Sequence, residues 1–178
     1  MKKNLIKYLI GLLVCLLVRL IPFRPPNVEP ITSTLMPFSK KWGWLAGALF
    51  GFVSVFVFDL FTNFGIWTYI TATMYALMGI AAGLYFKNIK AKIRHYVGFA
   101  VVGTLVFDFV TGPIMSSLIF KMPFMVALTG QIPFTLLHIG GNIILSATIS
   151  PLLYKWVISN KSLEWDNVFS LDKAREAY

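Results

Sequence analysis

FDLFT at residues 58–62 returns 49 residues later as FDFVT at residues 107–111. Each copy places one acid, Asp59 or Asp108, near the end of a long apolar run. A carboxylate inside a bilayer, or at its edge, costs roughly 2.5 kcal/mol or more unless it is paired or solvated. We therefore expect the two acids to have a purpose, and our first hypothesis is a ligand pocket that opens to the outside.

The composition is that of a membrane protein. Hydrophobic residues make up 57% of the 178 positions and charged residues only 13%, whereas a soluble domain carries about 25% charged residues. Several apolar runs of about 20 residues follow the first one, which excludes a secreted protein with only a signal peptide. Because these runs are continuous and do not alternate, we predict helical spans.

The pattern predicts an all-α fold of six transmembrane helices, with both termini in the cytoplasm and a short second helix. The predicted spans are about 5–23, 28–39, 42–62, 66–86, 96–111 and 130–158. The second Phe-Asp stretch, by analogy with the first, places the end of span five at 111–113. We therefore predict an outer, partly helical connection at 114–123. Residues 1–158 form the membrane domain, and residues 159–178 form a polar cytoplasmic tail with a short helix capped by Ser170.

The net charge of +9 has a topological cause. Thirteen of the sixteen Lys and Arg residues lie on the predicted inner side, and Arg19, Arg24 and Lys121 lie on the outer side. This bias follows the positive-inside rule, so nucleic-acid binding is not inferred. Span two, with 12 residues, reaches only about 18 Å as a helix. If it did not cross, the later loops would lie on the wrong sides, so we predict that it crosses.

A polar stripe follows the last predicted span. Its residues recur at steps of three or four, which places them on one helix face; they are Gln131, Thr135, His138, Asn142, Ser146 and Ser150. Such a stripe on a membrane helix faces protein or water rather than lipid. His138 and Asn142 are predicted either to bind a ligand or to join helices by hydrogen bonds.

The predicted topology collects these polar residues with aromatic ones in the outer half of the membrane. The predicted substrate-binding residues are Glu29, Asp59, Trp67, Tyr75, Asp108, His138 and Asn142, with Arg24 and Asn27 at the mouth. The carboxylates would accept hydrogen bonds from the ligand, and Trp67 and Tyr75 would stack on a ring. Simpler roles stay open, because the acids would also suit helix ends or pairs with arginine, and Trp67 an interfacial anchor.

No catalytic motif is visible, so we predict that the chain is not an enzyme and uses no cofactor. It has no Walker A loop, no Gly-x-Ser-x-Gly and no His-Glu-x-x-His. Glu29, Asp59, Asp108 and His138 are conceivable metal ligands, but no His-x-x-x-His or cysteine pair supports a metal site. Cys15 is the only cysteine, which excludes an internal disulfide.

Small residues predict close helix contacts. Gly47-x-x-x-Gly51 and Gly79-x-x-x-Gly83 allow two helices to approach, and Gly11-x-x-x-Cys15 on span one is a weaker example. Most such motifs serve internal packing, and the motif on span one is a candidate for facing a partner subunit.

This sequence resembles the substrate-binding S component of an energy-coupling factor (ECF) transporter. The resemblance rests on the layout of spans, the segment RPPNVEPI at residues 24–31 and the two Phe-Asp span ends. The resemblance covers about residues 5–158. It implies a subunit of the bacterial cell membrane that captures a vitamin or similar micronutrient from outside. It also implies partners, a membrane T subunit and two ATPases, which supply the energy that this chain has no motif to supply.

Two details of the resemblance concern docking and the ligand. Many members carry Ala-x-x-x-Ala on span one for docking to the T subunit, and the resemblance assigns this role to Gly11 and Cys15 here. Nickel and cobalt members depend on an N-terminal Met-His, whereas this chain starts Met-Lys-Lys. This start argues against nickel and cobalt as the ligand.

Two other functions remain open. One is a stand-alone proton-coupled transporter of a small molecule, in which Asp59 and Asp108 form the relay. The other is a structural subunit of a cell-envelope complex that resembles the rod-shape protein MreD, which would bind no small ligand.

Overall fold

The computed structural model describes residues 2–23, 25 and 28–169. Within these residues all regular secondary structure is helical, and there is no β-strand. Arg24, Asn27 and the predicted helix cap Ser170 lie outside the described residues.

Seven α-helices follow one another along the described chain. They are α1 (Leu5–Arg19), α2 (Ile31–Trp42), α3 (Trp44–Phe61), α4 (Ile66–Phe86), α5 (Ile93–Phe109), α6 (Met115–Phe120) and α7 (Phe124–Leu153). A π-helical turn at Val110–Ile114 joins α5 to α6, and a second one at Tyr154–Ile158 extends α7. Short 3-10 helices lie at Lys2–Asn4 and Lys161–Leu163.

Four helical segments are long and apolar enough to cross a membrane: Trp44–Phe61, Ile66–Phe86, Ile93–Phe120 and Phe124–Ile158. The protein is therefore a multi-pass membrane protein. α1 has 15 residues and α2 has 12, so both are shorter than these four. The predicted count of six spans remains a prediction.

α2 lies at the centre of the bundle, in contact with α3, α4 and α7. Its residues 31–39 are all buried. Ser33, Thr34 and Ser39 donate to backbone carbonyls, as when Ser39 Oγ donates to Leu35 O at 2.9 Å. Thr32 Oγ1 donates instead to Met78 Sδ at 3.3 Å. Because protein surrounds it, α2 does not need the length or the apolar surface of a lipid-facing span. It ends at Gly43, whose φ of 84° suits glycine and lets α3 begin at once.

α3 and α4 form the closest helix pair, running antiparallel through the glycines. A Cβ added to Gly79 would overlap the backbone of Gly47, and one on Gly51 would overlap the backbone of Tyr75. A Cβ on Gly83 would overlap the backbone of Trp44. The predicted close approach of these two helices is confirmed.

The predicted end of span five is wrong. The helix does not end at residues 111–113 but continues through the π-helical turn into α6, as far as Phe120. A proline inside an α-helix lacks a donor and collides with the preceding turn; the wider π-turn accommodates Pro113 here. The outer connection that was predicted over 114–123 shrinks to 121–123, where Lys121 takes a left-handed conformation with φ of 56°. α7 accordingly begins at Phe124, earlier than predicted.

The amino end of α1 is tied to the segment that follows α7. Lys7 Nζ donates to Ile158 O at 3.1 Å and lies 3.7 Å from Glu164 Oε1. Lys3 Nζ lies 3.1 Å from Glu164 Oε2. These contacts lie at the end of α1 opposite to Arg19.

Candidate binding site

A cavity of about 520 Å³ opens where α1 ends and α2 begins. Its walls come from the end of α3, the start of α4, the end of α5 with its π-turn, and the first half of α7. Six of the predicted site residues line it: Glu29, Asp59, Trp67, Tyr75, Asp108 and His138. Its volume lies within the range of small-molecule sites. The two Phe-Asp stretches therefore contribute to one cavity.

Arg19 holds one side of the cavity together. Its Nε lies 3.2 Å from Glu29 Oε2, and its Nη2 lies 3.7 Å from Asp59 Oδ1. The guanidinium carbon lies 3.7 Å from the centre of the Phe58 ring, a cation–π contact. Its Nη1 donates to Ser54 O at 3.4 Å. Arg19, at the end of α1, thus fixes the start of α2 and the end of α3 through one buried charge.

Asp108 and His138 form a second polar pair deeper in the cavity. His138 Nδ1 and Asp108 Oδ1 are 2.8 Å apart, and each residue is 2% exposed. With Asp108 as a carboxylate, which only accepts hydrogen bonds, Nδ1 would be the donor of this bond. His138 Nε2 and Asp108 Oδ2 are buried without a hydrogen-bond partner among the described residues. Buried polar atoms in native proteins are nearly always hydrogen-bonded, so these two are available to a ligand.

Asn142 lies one helical turn below His138 and does not line the cavity. Its Nδ2 donates to Thr104 Oγ1 at 2.7 Å, which joins α7 to α5. Further along the stripe, Ser150 Oγ donates to Ser33 O of α2 at 2.7 Å. The stripe therefore divides: Gln131 and His138 face the cavity, whereas Asn142 and Ser150 connect helices. Asn142 joins helices through Nδ2, while its Oδ1 is buried without a hydrogen-bond partner among the described residues. Its role as a ligand contact stays a prediction.

Aromatic rings form the apolar part of the walls. Trp67 is stacked on Phe120 at the end of α6, with ring centres 5.5 Å apart. Tyr75 packs against Phe107 at 4.6 Å, and the edge of Phe107 meets His138 at 5.8 Å. Trp67 is thus both partly exposed and part of the lining, which fits an anchoring role and a ligand contact together. The cavity presents flat rings next to carboxylates.

Several lining residues were not predicted to belong to the site. Arg19 was considered only as a partner of the acids; its signal in the sequence was a cation near the end of an apolar run, on the membrane side where the acids were predicted. Gln131 belonged to the polar stripe. Gly112 was predicted only to close span five, and Ser116 to lie in the partly helical connection, so neither was assigned to the site.

The predicted docking pair on α1 faces inward. A Cβ on Gly11 would overlap the Phe38 ring of α2, and Cys15 Sγ lies 2.9 Å from Thr34 Oγ1. The exposed side of α1 carries instead a row of leucines at four-residue steps: Leu5, Leu9, Leu13 and Leu17. Gly11 and Cys15 therefore serve packing within the chain, and the placement predicted for them is corrected.

The described residues contain no group of three or more His, Cys, Asp and Glu side chains placed to hold a metal ion. Glu29 and Asp59 share the Arg19 guanidinium, and Asp108 is bonded to His138. The lining is therefore arranged for hydrogen bonding and stacking.

A family model described as "ECF-type riboflavin transporter, S component" matches residues 8–156. The matched range includes every residue that lines the cavity. No curated protein and no solved structure matches the chain.

Proposed function

Since the chain belongs to the ECF-type riboflavin transporter S component family, we propose that it binds a vitamin-sized ring compound from outside the cell, with riboflavin as the first candidate. Membership of this family makes the chain a substrate-binding transporter subunit, and the proposal adds the identity of the ligand. The observation that supports this ligand class is the cavity, in which three acids and His138 lie beside the rings of Trp67, Tyr75 and Phe107.

Riboflavin has the chemical groups that these side chains recognise. Its flat isoalloxazine rings offer a face for stacking against Trp67 or Tyr75. Its ring imide and its ribityl hydroxyls donate hydrogen bonds, which the carboxylates of Asp59 and Asp108 accept. His138 Nε2, with Nδ1 occupied by Asp108, accepts one further hydrogen bond from the ligand.

The transport step requires partners. In this proposal the chain has six spans with both termini inside, in agreement with the excess of Lys and Arg on one side. It associates with a membrane T subunit and two ATPases, and ATP hydrolysis in the partners drives its reorientation and the release of the ligand inward. The chain itself only captures and carries the ligand, and it is not an enzyme.

Native mass spectrometry tests the proposal directly. We would purify the protein gently from its host membrane and look for a bound small molecule and for partner subunits. The expected result is a flavin-sized mass that is lost in Asp59→Asn protein. Asp166→Asn is the matched control, because Asp166 is an exposed acid outside the cavity.

Two results would contradict the proposal. Protein that carries no ligand but copurifies with envelope-assembly proteins would favour a structural subunit. Uptake driven by a pH gradient in vesicles that lack ATPases would favour a stand-alone proton-coupled transporter.

A further inference from the structure

The connection between α4 and α5 is strongly basic. Its cations lie within the short stretch 87–94, and all of them are exposed; they are Lys87, Lys90, Lys92 and Arg94. The chain has no Asp or Glu anywhere over residues 60–107, so no acid lies near these cations in the sequence.

These charges also have no carboxylate partner in space among the described residues. No Asp or Glu oxygen there lies within 4 Å of any of the four cations. The amino end of α1 differs, because the ammonium groups of Lys3 and Lys7 both lie within 4 Å of the Glu164 carboxylate. The positive charge of the α4–α5 connection is therefore left for an anion from outside the described chain.

Hydrogen bonds fold the connection and keep its charges together. His95 Nδ1 donates to Lys90 O at 2.7 Å, and the Lys92 amide donates to the same carbonyl at 2.9 Å. Lys40 Nζ donates to Phe86 O at 2.7 Å, which adds a further cation where α4 ends. The cations thus extend from a short, folded turn rather than from a long free loop.

The connection is too short to carry these charges away from a membrane surface. It joins two segments that are long and apolar enough to cross, one ending at Phe86 and the next beginning at Ile93. The six residues 87–92 span at most about 21 Å, so out and back they rise about 10 Å at most. The headgroup layer on one side of a bilayer is about 5–8 Å thick. The cations therefore lie close to the level of the lipid phosphates.

The neighbouring side chains favour a lipid over a soluble acidic protein. Leu84, Tyr85 and Ile93 flank the cations and are all exposed. The Tyr85 ring packs edge-on against Phe86, with ring centres 4.9 Å apart, and tyrosine is enriched at membrane interfaces. An anionic phospholipid offers both a phosphate for the cations and hydrocarbon for these apolar side chains, and juxtamembrane basic segments attract such lipids.

We propose that the α4–α5 connection is a binding site for the phosphate of anionic phospholipids. Lys87, Lys90, Lys92 and Arg94 hold the phosphate, and the exposed apolar side chains beside them contact the acyl chains. The site is separate from the ligand cavity, because none of the four cations lines that cavity. The basic residues then have a role beyond orientation, since the bound lipid anchors the ends of α4 and α5 at the membrane surface.

A fluorophore at residue 88 tests which lipids surround the connection. Asn88 is exposed between the cations, so Asn88→Cys in a Cys15→Ala background can be labelled on the full chain in detergent. The labelled protein is placed in two sets of phosphatidylcholine vesicles that contain the same minor share of phosphatidylglycerol. In one set the phosphatidylglycerol carries brominated acyl chains, which quench the fluorophore. In the other set an equal amount of phosphatidylcholine carries them.

The ratio of the two quenching values measures the local enrichment of the anionic lipid, because the surface charge of both vesicle sets is the same. We expect phosphatidylglycerol to be enriched at least about threefold at low salt. The ratio should fall towards 1 in high salt, which screens exposed charges. Lys90→Gln combined with Lys92→Gln should lower the low-salt ratio by at least about half.

Lys155→Gln combined with Lys161→Gln is the matched control. It also removes two exposed lysines, but they follow α7 and lie outside the connection. The control should keep the wild-type ratio. Because neither lysine of the test pair makes a side-chain hydrogen bond or ion pair among the described residues, the test variant should unfold at the wild-type temperature.

Three results would overturn the proposal. A wild-type ratio near 1 would leave the cations as a signal of orientation or a contact for an acidic protein. A ratio that stays high without Lys90 and Lys92 would place the lipid elsewhere on the chain. An equal fall in both double variants would indicate attraction by overall charge rather than a site at this connection. None of these results bears on the ligand of the cavity, which is tested separately.

Discussion

At the scale of single residues, the Arg19 guanidinium is the contact on which the cavity depends most. It pairs with two carboxylates from different helices and contacts Phe58 and the Ser54 carbonyl. Its side chain is 9% exposed, so its partners have little water to replace it. Removing one partner of a buried ionic cluster leaves uncompensated charge, which is far more costly than losing an exposed pair.

We therefore expect Arg19→Met to lower the free energy of unfolding by about 3 kcal/mol and to abolish ligand binding. Thermal unfolding in detergent and a binding titration measure the two effects. Arg19→Lys keeps the charge but loses the fork geometry, so its effect should be smaller. Arg94→Met removes an exposed arginine at the other end of the bundle and serves as the control. An Arg19→Met protein as stable as the control would contradict the assigned role.

A second residue-scale prediction concerns Glu164, outside the membrane-spanning segments. A hydrogen bond from Lys3 lowers the pKa of this carboxyl group, and the charges of Lys3 and Lys7 act in the same direction. A carboxyl group whose pKa is lower in the folded state contributes stability above its unfolded pKa, and this contribution is lost as the pH falls through the folded value. Wild type should therefore exceed Glu164→Gln in unfolding temperature near neutral pH.

The difference should shrink as the pH falls below about 4.3, the ordinary pKa of a glutamic acid. Unfolding temperatures of both proteins, measured between about pH 7 and pH 3, test this expectation. A difference that stays constant or grows in acid would show that the Lys3–Glu164 contact is not what links the amino end of α1 to the tail.

At the scale of elements, the contact of α3 with α4 and the position of α2 define the bundle. The glycines bring the backbones of α3 and α4 together, as at Gly47 and Gly79. α2 is short and carries serine and threonine, yet it is buried along residues 31–39. By hydropathy alone, α2 would be the helix least suited to a membrane. In the bundle it is surrounded by α3, α4 and α7, so its own side chains do not have to face lipid.

Gly79→Ala tests the helix contact. Its added methyl group would overlap the Gly47 backbone, which has no flexible side chain to move aside, so we expect a loss of about 2–3 kcal/mol of stability or a failure to fold. Gly98→Ala in α5 is the matched control. A Cβ there meets no atom within 4 Å, and alanine should stabilise the helix by about 0.5–1 kcal/mol. Equal stability of the two variants would contradict the close contact.

At the scale of the whole molecule, the cavity depends on the topology of the bundle. Its lining residues come from α1, the segment before α2, α3, α4, α5 with its π-turn, α6 and α7. If the charge bias sets the orientation, the cavity faces outward and the Lys7–Glu164 contacts face the cytoplasm. Both statements require α2 to cross the membrane, because the cavity lies at the end of α1 and also at the end of α3.

Single cysteines in a Cys15→Ala background test this topology. An impermeant thiol reagent added to intact cells should label Pro25→Cys and Asn63→Cys but should reach Asn88→Cys only after the membrane is permeabilised. All three positions are exposed in the folded protein. Because α3 is long enough to cross, labelling at both 25 and 63 requires α2 to cross as well. Labelling of Asn88→Cys in intact cells would contradict the predicted orientation.

The sequence by itself determined the class of protein, the type of its elements and six of the seventeen residues that line the candidate site. Hydropathy is a sum over neighbours in the chain, and so the bounds of α4 and the approximate bounds of α3 follow from it. Asp59, Asp108 and His138 were predicted to share a pocket because acids and histidines on apolar helices need polar surroundings. These inferences need only local composition and the helical repeat.

Only the tertiary structure decided which faces meet. The rotation of each helix against its neighbours decides three features that the sequence did not show. They are the contacts of Arg19, the burial of Gly11 and Cys15 against α2, and the different roles of His138 and Asn142 in the polar stripe. A helical repeat places residues on one face but does not say what that face contacts. The continuation of α5 through Pro113 was missed for the same reason, because local rules end a helix there whereas packing against α7 and a widened turn sustain it.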